Sequence, residues 1–255
     1  MERFLRTERL LGPEGFQRLQ QAAVTVVGLG AVGGYVVEGL ARAGVGRLRL
    51  VDFDTIQPSN INRQILALET TLGRAKAQVA AQRVAVINPA CRVEALELFA
   101  DEATMGAILQ PAPELLIDAI DSLNPKVQLL SAAHRAGLRV ISSMGAALRT
   151  DPTKVAWGDI GETWGCPLAR RVRKRLRRQG IEEGISCVFS SEAVCFNYRD
   201  PEKEAASSGG NPYDGRGRQR RVLGSLPTLT GIFGLTIANQ AILELSGGVV
   251  REERS

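Results

Sequence analysis

No two of the four cysteines, Cys91, Cys166, Cys187 and Cys195, stand in a C-x-x-C pair. A four-thiolate zinc site is therefore not the reading, and no zinc is expected. Aromatic residues make up only 5% of the chain, so stacking platforms for nucleic acid are scarce. The single histidine, His134, falls inside a helical stretch and reads as packed or solvated rather than catalytic. The start, MERFLRTERL, is charged and lacks the apolar core of a secretory signal. With unpaired thiols, this points to the reducing cytoplasm. One stretch, residues 223–245, is long enough to cross a bilayer and carries no charge before Glu244. Pro227, Thr228, Thr230, Thr236, Asn239 and Gln240 interrupt it. It reads as a buried strand and helix, although a hydropathy plot would over-call it as a membrane span.

What is present fits a soluble globular protein. Hydrophobic residues make up 44% and charged residues 23% of 255, enough for one large domain with a real core. The net charge of +5 suits an anionic partner, and equally plain solubility.

Strands and helices alternate along the first part of the chain. Residues 2–21 read as helical, broken near Gly12-Pro13, with Arg3, Arg6 and Arg9 at helical spacing. VTVVGLG is an apolar strand running into glycines, residues 33–43 form a helix ended by Gly44 and Gly46, and RLRLVDFD is a second strand. Further helices are read over 73–87, 102–109 and 125–136, and further strands in VEALEL, LLIDAID and RVISS. The pattern predicts a Rossmann-like α/β nucleotide-binding domain, with a mostly parallel sheet covered on both faces and its strand order open. Residues 1–150 would be the nucleotide-binding part. Residues 151–255 would complete the same domain as a C-terminal extension. This extension holds a basic helix, RRVRKRLRR, over 170–178 and a mobile polar loop over about 199–221.

Gly28-Leu29-Gly30-Ala31-Val32-Gly33 is a G-x-G-x-x-G loop between a predicted strand and a predicted helix. Gly28 permits the turn, Gly30 and Ala31 let phosphates approach the backbone, and Gly33 allows close packing. The helix start offers N–H groups to anions. Asp52, closing the second strand, can bind ribose hydroxyls. This much does not separate NAD, FAD, SAM and ATP. The next segment favours ATP. Asn60, Asn62, Arg63 and Gln64 can bind phosphates and adenine, and Arg63 can neutralise a transferring group. Lys76 adds a second cation, with Asp54 in the same stretch. The carboxylates of Asp118-Ala119-Ile120-Asp121-Ser122 close the fourth strand, where they could hold a Mg²⁺ bridging phosphates. The predicted catalytic residues are Arg63, Lys76 and Asp121, with Asp121 the metal ligand and Ser122 beside it.

This ordered set of motifs resembles the adenylation domain of the ubiquitin-activating-enzyme superfamily, which includes ThiF and MoeB proteins. Asn60-Ile61-Asn62-Arg63-Gln64, Asp118 to Ser122, Asp151-Pro152-Thr153, Pro167-Leu168-Ala169 with the basic helix, and Cys187-Val188-Phe189-Ser190-Ser191-Glu192 are most similar to the TcdA (CsdL/YgdL) family of tRNA threonylcarbamoyladenosine dehydratases. The resemblance implies ATP-dependent cyclisation of threonylcarbamoyladenosine next to the anticodon, through adenylation of its threonyl carboxylate. It also implies a homodimer in which an N-terminal arginine, best matched by Arg9, reaches the partner's ATP. A cysteine desulfurase or sulfur acceptor is left open as a further partner. The zinc cysteines usual in MoeB-like and ThiF-like members are missing here. That counts against the alternative, adenylation of a ubiquitin-like sulfur carrier protein.

Two features carry rival readings. Cys187 is either a nucleophile or a small buried residue. The second is favoured, because cyclisation within one substrate needs no covalent thiol. The basic helix is either a solvated face or a tRNA contact through Arg170, Arg171, Arg173, Lys174, Arg175, Arg177 and Arg178. Its cations lack balancing acids, which favours tRNA, with Arg216, Arg218, Arg220 and Arg221 as additions.

Overall fold

A computed structural model describes residues 2–194 and 223–248. The first helix, α1 (Leu5–Gln21), bends at Gly12, whose φ of 73° and ψ of 162° leave the helical region just before Pro13. Then follow β1 (Ala23–Val27), α2 (Gly33–Ala43), β2 (Arg47–Val51), α3 (Lys76–Ile87), β3 (Arg92–Leu96) and α4 (Met105–Leu109). The second half supplies β4 (Leu115–Asp118), α5 (Leu123–Arg135), β5 (Val140–Ser143), β6 (Val155–Asp159), α6 (Pro167–Arg177), β7 (Ser186–Ser190) and α7 (Pro227–Ser246). The seven strands form one sheet in the order β3-β2-β1-β4-β5-β7-β6. All neighbours are parallel except the edge strand β6, which runs antiparallel to β7. The first five strands have the order of a Rossmann fold.

The sheet is buried on both faces. Val24 and Val26 of β1 point into a cluster with Leu40 of α2, Val84 of α3 and Phe233 of α7. Val27 of the same strand faces the opposite cluster, with Leu129 of α5 and Leu176 of α6. This alternation gives each face its own core, and each fully buried large apolar side chain contributes about 1.5–3 kcal/mol.

Several sequence expectations change, and the helix placed over 102–109 begins only at Met105. The helix placed over 73–87 begins only at Lys76, because Gly73 is left-handed (φ 74°) and Ala75 bridges to Thr55. No strand precedes α7, since residues 223–226 are irregular. β6 and β7, unread in the sequence, extend the same sheet. Among the described residues α7 is the one helix long and apolar enough to cross a membrane, and half of its apolar window is buried in the fold. Small residues bring it against α2: a Cβ on Gly39 would meet Ala238 Cβ at 2.7 Å. The loop over 199–221, with Arg216, Arg218, Arg220 and Arg221, and Cys195 lie outside the described residues.

Candidate active site

The glycine loop leaves the C-terminal end of β1, and its glycines divide the work. Gly28 has φ 89°, and a Cβ there would meet the Ala119 carbonyl at 2.8 Å. A Cβ on Gly33 would overlap the Gly28 oxygen at 1.8 Å. Both are needed for the chain to fold here. Gly30 is open, with only the Gln64 amide nitrogen, 3.8 Å from a built Cβ, over it. Gly30 is therefore where a ligand can approach the backbone.

Asp52 follows β2 and ties this loop down. Its Oδ2 accepts from Leu29 N at 2.6 Å and its Oδ1 from Asp54 N at 2.8 Å. Burial raises its carboxyl above the ordinary range, while the Lys76 charge pulls the other way. A carboxylate has about four acceptor positions, so ribose hydroxyls can still be taken. Asp54 pairs with Lys76, Nζ to Oδ2 2.9 Å, and Lys76 is buried at the start of α3.

The segment after Asp54 splits by role. Asn60 is buried, and its Oδ1 accepts from Gln57 N at 3.1 Å, which shapes the turn. Gln64 is buried with an Oε1 that has no hydrogen-bond partner among the described residues. A buried acceptor left unmade is costly, and a ligand hydroxyl or amine beside Gly30 would satisfy it. Arg63 Nη1 donates to Ser59 O and Asn62 Oδ1, both at 2.8 Å. Asn62 is exposed. Asp121 is exposed past the end of β4, and the Ser122 hydroxyl donates to its Oδ1 at 3.4 Å. Arg9 is exposed on α1.

Asp118, which the sequence offered with Asp121 as a possible Mg²⁺ ligand, is fully buried. Lys126 of α5 donates to its Oδ2 at 2.5 Å, to Ser142 Oγ at 3.2 Å and to Ser143 O at 2.9 Å. Ser142 adds a bond to the same Oδ2 at 2.6 Å, and Ile120 N donates to Oδ1 at 3.0 Å. All three ammonium protons are used, so the pair anchors the loop that carries Asp121. Sequence reasoning misses Lys126. Its signal is its place on the apolar face with Leu129, Leu130 and Ala133. Lys126→Met strands a buried charge, so about 3–5 kcal/mol of stability should be lost in urea unfolding. A loss below about 1 kcal/mol would show that the pair anchors nothing.

The basic helix α6 buries Ala169, Val172 and Leu176. Arg170, Arg171, Lys174, Arg175, Arg177 and Arg178 are exposed. Arg173 differs: its Nη1 donates to Thr163 O at 2.5 Å and Thr163 Oγ1 at 2.6 Å. That guanidinium serves the fold. Arg175 Nη1 bonds Asn124 Oδ1. Arg171, Lys174, Arg175 and Arg178 line a cleft of about 310 Å³ with Leu123, two residues beyond Asp121. Cys187 is fully buried, and burial pushes its thiol up, far from the reactive thiolate.

With this geometry the chain matches the ThiF family over residues 3–253. The chain belongs to the ThiF family. Family members similar over most of their length include the tRNA threonylcarbamoyladenosine dehydratase of Bacillus subtilis, 39% identical, covering 81% of this chain and 82% of that protein. The dehydratase of Escherichia coli is 33% identical, covering 98% and 96%. A solved structure of the E. coli enzyme TcdA in complex with ATP superposes with a TM-score of 0.83 at 32% identity, covering 96% of this chain and 94% of that one. A sulfur carrier protein adenylyltransferase of Thermus thermophilus, 34% identical, matches only 61% of this chain.

Proposed function

We propose that this protein is an ATP-dependent tRNA threonylcarbamoyladenosine dehydratase. The observation that carries the reading is end-to-end similarity to dehydratases, and it is supported by a glycine loop, Asp52 and Asp121 that follow the parallel strands β1, β2 and β4 at their C-terminal ends. In this reading a carboxylate oxygen of the threonyl group attacks the α-phosphate of ATP and pyrophosphate leaves. The substrate's own carbamoyl group then attacks the activated carbon. AMP departs with the former carboxylate oxygen, so the elements of water are lost. The protein supplies position and charge. Gly30 and Ala31 admit the phosphates, Asp52 holds the ribose, and Gln64 gains a partner. Asn62, Arg63 and Lys76 face phosphate oxygens, while Asn60 and Asp54 shape the segment that presents them. The donor set at Asp121, one exposed carboxylate beside a hydroxyl, suits a Mg²⁺ shared with the nucleotide's phosphates. When bound, the ion neutralises phosphate charge. The exposed cations of α6 hold the tRNA backbone. Ring closure within one substrate needs no thiol and no sulfur partner, in keeping with a buried Cys187.

The direct test incubates the purified protein with ATP and tRNA carrying threonylcarbamoyladenosine, then weighs the digested nucleosides. A product lighter by one water is expected, and calorimetry should show binding of ATP but not NAD. Unchanged nucleoside mass, or NAD binding without ATP, would overturn the reading. The active form is proposed to be a homodimer in which Arg9 enters the partner's site. Sedimentation should give a dimer at micromolar concentration, and Arg9→Ala should slow turnover without changing that mass. A fully active monomer would refute it.

A further inference from the structure

Trp164 stands out on this surface. Its side chain is 64% exposed in a chain with only two tryptophans. The backbone on either side is pinned. Thr163 is buried, and Arg173 holds both its carbonyl and its hydroxyl. Gly165 has φ 70° and lies so close to Ser191 that a Cβ would meet the Ser191 oxygen at 2.7 Å. The Gly165 carbonyl accepts from buried Arg149 Nη2 at 3.2 Å. A firmly held loop thus presents an uncovered indole. Ser191 follows β7, which runs parallel to β5. Trp164 therefore stands at the same edge of the sheet as the glycine loop, Asp52 and Asp121. Arg170 and Arg171 open the exposed basic face of α6 a few residues further on.

We propose that Trp164 is a stacking platform for an unpaired base of the RNA substrate, beside the nucleotide that enters the active site. This rests on the dehydratase reading above. Single-stranded loops are recognised by stacking splayed bases on aromatic rings while cations take the phosphates. One stretch of chain supplies both parts, the indole at 164 and exposed cations from Arg170 onward. An indole also contributes a large rigid area at little entropic cost, because its loop is already fixed. Aromatics are scarce across the chain, and Trp164 is the more exposed of its two tryptophans, 64% against 37% for Trp157.

The test uses the full-length protein. Trp157→Phe leaves Trp164 as the sole indole. Its fluorescence should be quenched on titration with an anticodon stem-loop RNA and should saturate with binding. Trp164→Ala should raise the KM for modified tRNA about tenfold, with kcat and ATP affinity nearly unchanged. Trp164→Phe, which keeps a ring, should recover most of the loss. Wild-type tRNA affinity in Trp164→Ala would overturn the proposal. So would an equal loss in Trp164→Phe, or a change in sedimenting mass, which would assign the indole to a subunit contact. If the unmutated protein neither binds nor cyclises tRNA, the dehydratase reading falls, and the platform with it.

Discussion

Replacing Arg63 or Asp121 by alanine should lower cyclisation at least about a hundredfold while leaving the fold intact. Preorganised charge aimed at a transferring phosphoryl group is worth that much or more. Among the described residues Arg63 donates to Ser59 and Asn62, on its own turn, and Asp121 is exposed. Neither belongs to the two apolar clusters, so thermal unfolding should barely move. Arg63→Lys should restore only part of the activity, because an ammonium cannot present two parallel donors to phosphate. Asp121→Asn should raise the Mg²⁺ concentration needed for half-maximal activity, because a neutral amide is a poorer ligand. The measurement is single-turnover cyclisation at saturating ATP, with circular dichroism as the control. Near-normal turnover by either alanine variant would remove these residues from the phosphate site.

The legible parts of the sequence are those with strong local signals. Residues 33–43 read as a helix and form α2, because the glycine loop marks its start and Gly44, left-handed at φ 99°, ends it. β6 and β7 escape notice for a different reason. VAWGD contains a glycine and an aspartate, and its residues are only partly buried at the antiparallel edge. Such a strand is specified by its neighbour rather than by its own pattern. Lys126 goes unread and Asp118 is taken for a metal ligand because a buried ion pair is a tertiary event. Composition alone makes Arg173 equal to its neighbours. Only its reach to Thr163 separates it, and no periodicity could have shown that. At the site, motif spacing names the ligand-facing candidates but cannot tell turn-shaping Asn60 from open Gly30.

That separation decides how the basic helix should be tested. Arg171, Lys174 and Arg178 line the same cleft and are exposed. Arg173 must stay, because its loss would free Thr163 and disturb the start of α6. Arg175 is engaged with Asn124 and is also kept. Changing Arg171, Lys174 and Arg178 to glutamate should weaken tRNA binding about a hundredfold or more near physiological salt. The slope of log K against log salt should fall by about three units, roughly one for each phosphate left without its cation. ATP affinity should hold, since the nucleotide loop lies between β1 and α2, on other elements. The unfolding midpoint should hold too, because the buried side of α6 is Ala169, Val172 and Leu176. A tRNA titration at several salt concentrations checks all of this against ATP calorimetry on the same protein. An unchanged slope would mean that these cations merely keep α6 solvated. A matching loss of ATP affinity would mean that they act through Leu123 and the Asp121 loop rather than on RNA.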